Sequence, residues 1–254
     1  MRVQSLTLAA AAAALLAPTT LPATAAVARP PADSAAHSEG EVPAADLLDR
    51  VRDCDQVSHG RYRTDAGARA TVPVCGTREA VFWKADLDVD CDGRRTAHCN
   101  RRTDPLFSAA TAYPQSDGRH LDAESLPYIV VPAPSGIWDH DKDGVHGGSV
   151  AAVVYRGRVQ YAVVGDTGPR GIIGEASYAT ARRLGIHPDP LHGGASFGVT
   201  YIVFKGSRLD PIEDHEAAVA MGEKLARRFV RDNWPRHRAH RDTRRTGAPA
   251  YTLR

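Results

Sequence analysis

Two carboxylates stand nine positions apart in the stretch YAVVGDTGPRGIIGEAS, residues 161–177. Asp166 ends an apolar, β-branched run, and Glu175 follows a glycine-rich turn. A carboxyl at the end of a buried strand is costly to ionise, so burial should raise the pKa of Asp166. The residues after Glu175 read as a helix, whose N-terminus would favour an ionised Glu175. Two carboxyls whose surroundings push their pKa values apart can divide the work of a general acid and a general base. Glycosidic cleavage needs that pair, one group on each side of the bond. On this reading Asp166 is the acid and Glu175 the base. The same residues also fit a purely structural account, in which Asp166 caps the turn DTGP and Glu175 starts a helix for stability.

A second acidic stretch is KADLDVDCDG. If it is extended, Asp86, Asp88 and Asp90 share one face, because strand side chains alternate. Three like charges on one face repel unless a cation sits beside them, either substrate ammonium groups or a metal. DVDCDG from Asp88 and DHDKDG from Asp139 both read D-x-D-x-D-G, the opening of a calcium loop. Both lack the closing Glu at position twelve, where Cys99 and Val150 stand. No metal and no cofactor is therefore assigned. The sequence holds no H-E-x-x-H, no H-x-x-E-H and no G-x-S-x-G, which leaves a zinc protease or serine hydrolase without support. GPRGIIG lacks the lysine of a phosphate loop. Trp83, Trp138, Tyr113, Tyr128 and Tyr155 are either sugar-stacking rings or core.

Short strands must carry these groups. Val150–Tyr155 and Val159–Val164, joined by Arg-Gly-Arg, form a hairpin signal. Residues 79–89, 127–132 and 198–205 read as further strands, with Phe82 alternating against Lys84. Strands punctuated by Gly and Pro indicate a small β-barrel or sandwich rather than a parallel sheet. A helix following Glu175 should stop at Gly185, a suitable C′ residue. Residues 212–234 place Ala217, Met221, Leu225 and Phe229 at i, i+4 spacing, a helix that should lie across the barrel as an amphipathic cover. The expected fold class is α+β, predominantly β: a compact small β-barrel with a few covering helices.

The termini read differently. Residues 1–28 have a short positive start, an apolar core too short to span a bilayer, and small residues suited to cleavage, so they read as a secretory signal peptide. Residues 29–45 read as a disordered linker. Residues 46–234 form the expected catalytic domain and 235–254 a basic flexible tail. The protein is expected to be secreted, monomeric, and free of membrane or nucleic-acid partners. Cys54, Cys75, Cys91 and Cys99 fit export as disulfides. Three pairings are possible; the sequential one, Cys54–Cys75 and Cys91–Cys99, is expected. No C-x-x-C pair supports zinc. The net charge of +2 hides an asymmetry: residues 224–254 hold ten Lys/Arg and two Asp, which leaves 22 basic and 28 acidic residues in 1–223, net −6. An acidic body attracts a cationic substrate.

FWKADLDVDCDG, DPLF, LPYIVVP, the run from Gly147 to Ile186 and GVTYIVFKG occur in this order between about Cys75 and Trp234. Together they resemble the chitosanases of glycoside hydrolase family 75. The resemblance implies hydrolysis of β-1,4 bonds between glucosamine units of chitosan with inversion, and it implies that Asp166 and Glu175 are the essential pair. Chitosan and glucosamine oligosaccharides carry ammonium groups, so Asp86, Asp88 and Asp90 become the expected substrate-binding residues. The strand ending in D-T-G, followed by a glycine turn, also resembles the double-psi β-barrels of some lytic transglycosylases and endoglucanases. A lytic-transglycosylase-like wall enzyme and a calcium-stabilised sugar-binding module stay open as alternatives.

Overall fold

A computed structural model describes residues 38–232. The expected signal peptide, residues 29–37 of the expected linker, Trp234 and the expected basic tail lie outside the described residues. Seven strands and three helices follow one another: α1 (Ala44–Arg50), β1 (Cys75–Gly76), β2 (Ala80–Asp90), β3 (Tyr128–Pro132), β4 (Val150–Tyr155), β5 (Arg158–Gly168), β6 (Glu175–Ser177), α2 (Tyr178–Leu184), β7 (Ala195–Phe204) and α3 (His215–Asp232). The sheet order is β1-β2-β6-β3-β5-β4-β7, and β7 pairs back onto β2. Six strands thus close into a barrel, with β1 attached to the start of β2.

The expected small barrel is present, with a correction to its pairing. The pairs β2–β6 and β3–β5 are parallel, and the remaining ladders are antiparallel. Parallel neighbours cannot be joined by a tight turn: β4 intervenes between β3 and β5, and β3, β4 and β5 between β2 and β6. The segment 91–127, which crosses over β6 to join β2 to β3, holds no helix or strand. Its first turns are tied by Cys91–Cys99. Cys54–Cys75 joins the start of β1 to the segment after α1, so the sequential pairing is the one observed.

Alternation sorts the side chains into two clusters. Trp83, Leu87, Ile129, Val131, Val153, Val164 and Tyr201 belong to one; Phe82, Val130, Val154, Tyr161, Val163 and Phe204 belong to the other. Helix α3 packs on the second cluster, with Phe229 against Phe204 at 6.0 Å between ring centroids. A helix cannot enter a six-stranded barrel, whose interior has room only for side chains. The second cluster therefore covers the outer wall, and the first fills the interior, where Trp83 stacks on Tyr201 at 5.2 Å. Trp83, Trp138 and Tyr128 are core residues.

Local chemistry explains the element ends. The β4–β5 hairpin turns on Arg156 (φ 46°) and Gly157 (φ 80°), the pair of left-handed residues that a two-residue hairpin loop needs. Helix α2 starts at Tyr178, where the Ser177 Oγ accepts the Thr180 N–H, and it ends at Gly185 with φ 73°. The stop agrees with expectation, but the start lies three residues beyond Glu175. The expected disordered linker also needs correction over 38–45. The Val159 N–H donates to Ser38 Oγ, Val42 is buried, and α1 begins at Ala44. Glu39 fixes this segment: its carboxylate accepts from the Tyr161 N–H and Gln160 and pairs with Arg183 and His215. Polar composition suggested disorder, but one half-buried acid with four partners outweighs it.

In α3 the buried stripe is Ala218, Gly222, Ala226 and Phe229, with Ala217, Met221 and Leu225 only partly buried. The small residues face the wall because the helix lies close to it. A Cβ on Gly222 would stand 2.4 Å from the Tyr161 ring. Replacing Gly222 by Leu should therefore overpack this contact and cost about 1–3 kcal/mol. Lys224→Leu, on the exposed side of the helix, should stay within about 0.5 kcal/mol of the parent. Urea unfolding of both variants checks this, and equal stabilities would contradict the close approach.

Candidate active site

Four strands bring the acidic residues into register. On β2, Asp88 pairs with Glu175 of β6; Glu175 pairs with Val130 of β3; Val130 pairs with Asp166 of β5. Residues directly opposite share a face, so Asp88, Glu175, Val130 and Asp166 form one row across the outer wall. Adjacent strands lie about 4.8 Å apart. Glu175 and Asp166, with β3 between them, are thus separated by roughly 9–10 Å at the backbone.

Asp166 reaches this face through a β-bulge. Ile129 pairs with Val164, but the next residue, Val130, pairs with Asp166, so Gly165 is the extra residue. Gly165 sits against Leu121 and Tyr128, where a Cβ would stand 2.6–2.7 Å from their side chains. Without the bulge, Asp166 would follow Ala162 and Val164 into the barrel interior. Gly174, with φ 119°, turns the chain into β6 and lies against Asp86.

An open cleft of about 500 Å³ lies over the row. Asp88, Asp90, Asp92, Asp104, Asp166 and Glu175 line it, together with Leu106, Val130, Thr167, Pro169 and Pro190. Leu106 is 90% exposed and so offers an apolar surface beside the acids. Among the described residues, no Lys or Arg forms an ion pair with any of the six carboxylates.

The two central carboxylates differ in their partners. Asp166 is buried, and its Oδ1 accepts the backbone N–H groups of Ala112 and Thr167, each at 2.7 Å. Burial raises its pKa, while those two hydrogen bonds and the nearby His120 oppose the rise. Glu175 is not at a helix start; it opens strand β6. No helix dipole favours its anion. Burial first, then Asp88, Asp92 and Asp166, pushes its pKa up to about 7. The expected order of the two pKa values rested on a helix that begins too late to act on Glu175.

Asp88 and Asp90 line the cleft as expected. Asp86 shares their outward parity, but it lies beyond the cleft and is almost fully buried, beside Asp65. Burial and then Asp88 raise its pKa to about 7. Asp92 and Asp104 were missed by sequence reasoning. Asp92 is the last acid of DVDCDG; its Oδ1 accepts the Ser108 N–H, which holds the crossover against the cleft, and burial lifts its pKa to about 6. Asp104 and Asp65 lie in irregular segments; Asp104 opens the motif DPLF, but nothing in its local sequence marks it as facing the cleft, and Asp65 carries no pattern. In DHDKDG each aspartate is held by its own partner: Asp139 by Lys142, Asp141 by His146, and Asp143 by Lys205 and the Trp138 indole.

Asp86, Asp92 and Glu175 hold protons more tightly when folded than when unfolded. Stability from such groups is greatest below their unfolded pKa values, near pH ~4, and is lost as pH rises through their folded values of about 6–7. The melting temperature should therefore fall between pH 5 and pH 8, and Glu175→Gln should flatten that fall and melt higher at pH 8. Calorimetry across this range decides; a parent Tm indifferent to pH would contradict the burial of the cluster.

Residues 87–231 match the family model described as fungal chitosanase of glycosyl hydrolase group 75. Similar curated proteins include an endo-chitosanase C of Aspergillus oryzae, 33% identical over 134 residues, an overlap of 51% of this chain and 32% of that protein. An endo-chitosanase B of Aspergillus oryzae is 32% identical over 163 residues, covering 55% of this chain and 66% of the other. An endo-chitosanase of Aspergillus fumigatus is 34% identical over 171 residues, with 59% and 70% covered. The matched part thus spans from about a third to somewhat over two thirds of these relatives. Asp88, Asp90, Asp166 and Glu175 fall inside the family match; Asp86 falls just before it and Asp65 well before it.

Proposed function

The chain belongs to the group 75 glycosyl hydrolases, the fungal chitosanase family, and from that premise we propose that it is a secreted endo-chitosanase that cleaves β-1,4 bonds between glucosamine units with inversion. The observation that carries this reading is the row in which Asp166 and Glu175 flank Val130 beneath an acidic cleft. Their backbone spacing of roughly 9–10 Å leaves room for side chains to approach the ~6.5–9.5 Å that an inverting pair needs around one water.

Glu175 is the general acid. A group titrating at about 7 still carries its proton in mildly acidic solution, where chitosan is charged. It gives that proton to the glycosidic oxygen as the C1–O bond breaks. Asp166 is the general base. Its Oδ1 is occupied by two N–H donors, which favour the anion, and its other oxygen takes a proton from water. The water oxygen then bonds to C1 on the face opposite the leaving group, and the configuration inverts. These roles reverse those read from the sequence.

Asp88 and Asp90, with Asp92 and Asp104, bind the ammonium groups of the substrate. A polycation complements the acids of the cleft, so the field speeds capture and the contacts hold register. The two disulfides and the N-terminal apolar segment support export.

Asp166→Asn and Glu175→Gln should each lower chitosan hydrolysis by about 10²–10⁴-fold. Activity within tenfold of the parent in either variant would remove that residue from the pair. The alkaline limb of the parent kcat/KM profile should lie near pH 7, since loss of the Glu175 proton disables the acid. Azide should rescue Asp166→Ala with formation of a glycosyl azide, because the small anion replaces the base-activated water; rescue of Glu175→Ala alone would invert the roles. In heavy-oxygen water the label should enter the new reducing end, whereas anhydro ends would mark a lytic transglycosylase.

A second prediction concerns binding. Asp90→Asn should cost tenfold or more in kcat/KM on deacetylated chitosan, about 1.4 kcal/mol. The loss should shrink on highly acetylated chains, which carry fewer ammonium groups. Equal losses on both substrates would mean that Asp90 supports the fold rather than the ligand.

A further inference from the structure

Asp86 is an acid that the proposed reaction does not use. The residue is 4% exposed, and its Oδ1 is buried without a hydrogen-bond partner. Leaving a buried carboxylate oxygen unpaired is costly. Beside it stand Asp65 and Asp88, and one oxygen from each of the three acids lies within 4.8 Å of the others. The neighbouring charges that bear on Asp86 are Asp88, Asp65 and Glu175, all acidic. Three carboxylates converge, therefore, and the most buried one keeps one oxygen without a partner.

We propose that Asp65, Asp86 and one carboxylate oxygen of Asp88, whose other oxygen stays available to the cleft, bind a calcium ion that fastens the segment carrying Asp65 to the turn that presents Glu175. Carboxylate oxygens alone suit a hard cation. Calcium takes six to eight oxygens in a flexible shell that water can complete, whereas magnesium demands a near-ideal octahedron and gives up its own water reluctantly. Two of the acids are exposed, which leaves the ion open to water for its remaining ligands.

The site joins three pieces of chain. Asp65 follows Arg63, whose N–H donates to Gly171 O and whose carbonyl accepts the Ile173 N–H. Asp86 abuts Gly174, and the Asp88 N–H donates to Gly174 O. Segment 61–72, strand β2 and turn 169–174 thus meet around the acids, and Glu175 is the next residue along. An ion here would hold the turn from both sides without touching the glycosidic bond.

The test uses the full chain, freed of metal by a chelator and then dialysed. Calcium chloride at about 5 mM should raise Tm by at least about 3 °C, a shift that sodium chloride of equal ionic strength does not produce. Asp65→Asn should lose most of that rise while its metal-free Tm stays close to the parent, because Asp65 is exposed and its carboxylate accepts only from the Thr64 hydroxyl. Glucosamine hydrochloride at the same concentration provides the second arm. A parent indifferent to calcium overturns the proposal, and so does an undiminished rise in Asp65→Asn. A rise produced by glucosamine but not by calcium, and lost in Asp65→Asn, also overturns it and assigns the three acids to an ammonium group. None of these outcomes bears on whether Asp166 and Glu175 perform the hydrolysis, which the activity of their own variants decides.

Discussion

Gly165 and Asp166 together face Val130 across the β3–β5 ladder, where every other pair is one to one. Strand side chains alternate, so one inserted residue exchanges the two faces for everything that follows it. Before the bulge, Ala162 and Val164 point into a barrel filled by Trp83, Tyr201 and aliphatic side chains. After it, Asp166 points out beside Val130. An anion in that interior would lose its hydration with no partner in return. On the outer wall it keeps two backbone donors and an opening to solvent. The acidic row exists as a row because of that single register change. Glycine is needed at the bulge because Leu121 and Tyr128 close over it.

The consequence is a surface of acids that face one another with no Lys or Arg paired to them among the described residues. Stability and function pull in opposite directions there. Burial and mutual repulsion hold Asp86, Asp92 and Glu175 well above ordinary carboxylate pKa values, so ionising them works against the fold. The same strain makes a cationic ligand welcome, and it lets a glutamate keep a proton where a free one would have lost it. Elsewhere several acids have partners. Glu39, Glu223 and the aspartates of 139–143 each have a cation or a hydrogen-bond donor. At the cleft and at the adjoining Asp65–Asp86–Asp88 cluster the acids have one another and backbone donors for company, and no Lys or Arg among the described residues.

Fixing such a surface takes support from outside the barrel. The crossover 91–127 has no regular element, yet it carries Asp92, Asp104 and Leu106 to the cleft and supplies the Ala112 N–H to Asp166. Cys91–Cys99 shortens its free span at the end of β2, and the Tyr128 hydroxyl donates to Asp92 O at 2.9 Å. The buried Ser177 hydroxyl donates to Leu126 O, accepts the Tyr128 N–H and caps α2, so it joins the crossover, β3 and the helix after β6. Glu175 is thereby held between a cap on one side and a glycine turn on the other.

Local chemistry made much of this legible in the sequence. The hairpin at Arg156-Gly157, the helix stop at Gly185, the strands around Phe82, Val130 and Ile202, and the common face of Asp86, Asp88 and Asp90 follow from periodicity and from residues suited to particular backbone angles. The sequential disulfides also emerged as expected. What alternation could not reveal was a bulge, because an extra residue leaves no mark in composition; the side on which Asp166 emerges depends on Val130, which is distant in sequence. The environment of Glu175 was hidden for the same reason. Its neighbours Asp88 and Val130 come from strands on either side, and they take as a strand a segment that reads locally as the start of a helix. Asp65, Asp92 and Asp104 join the acidic surface only where the crossover and the loop before β1 fold back over it. Residue type and spacing determined which chemistry this chain could carry, and long-range strand pairing decided which carboxylates meet and which of them keeps its proton.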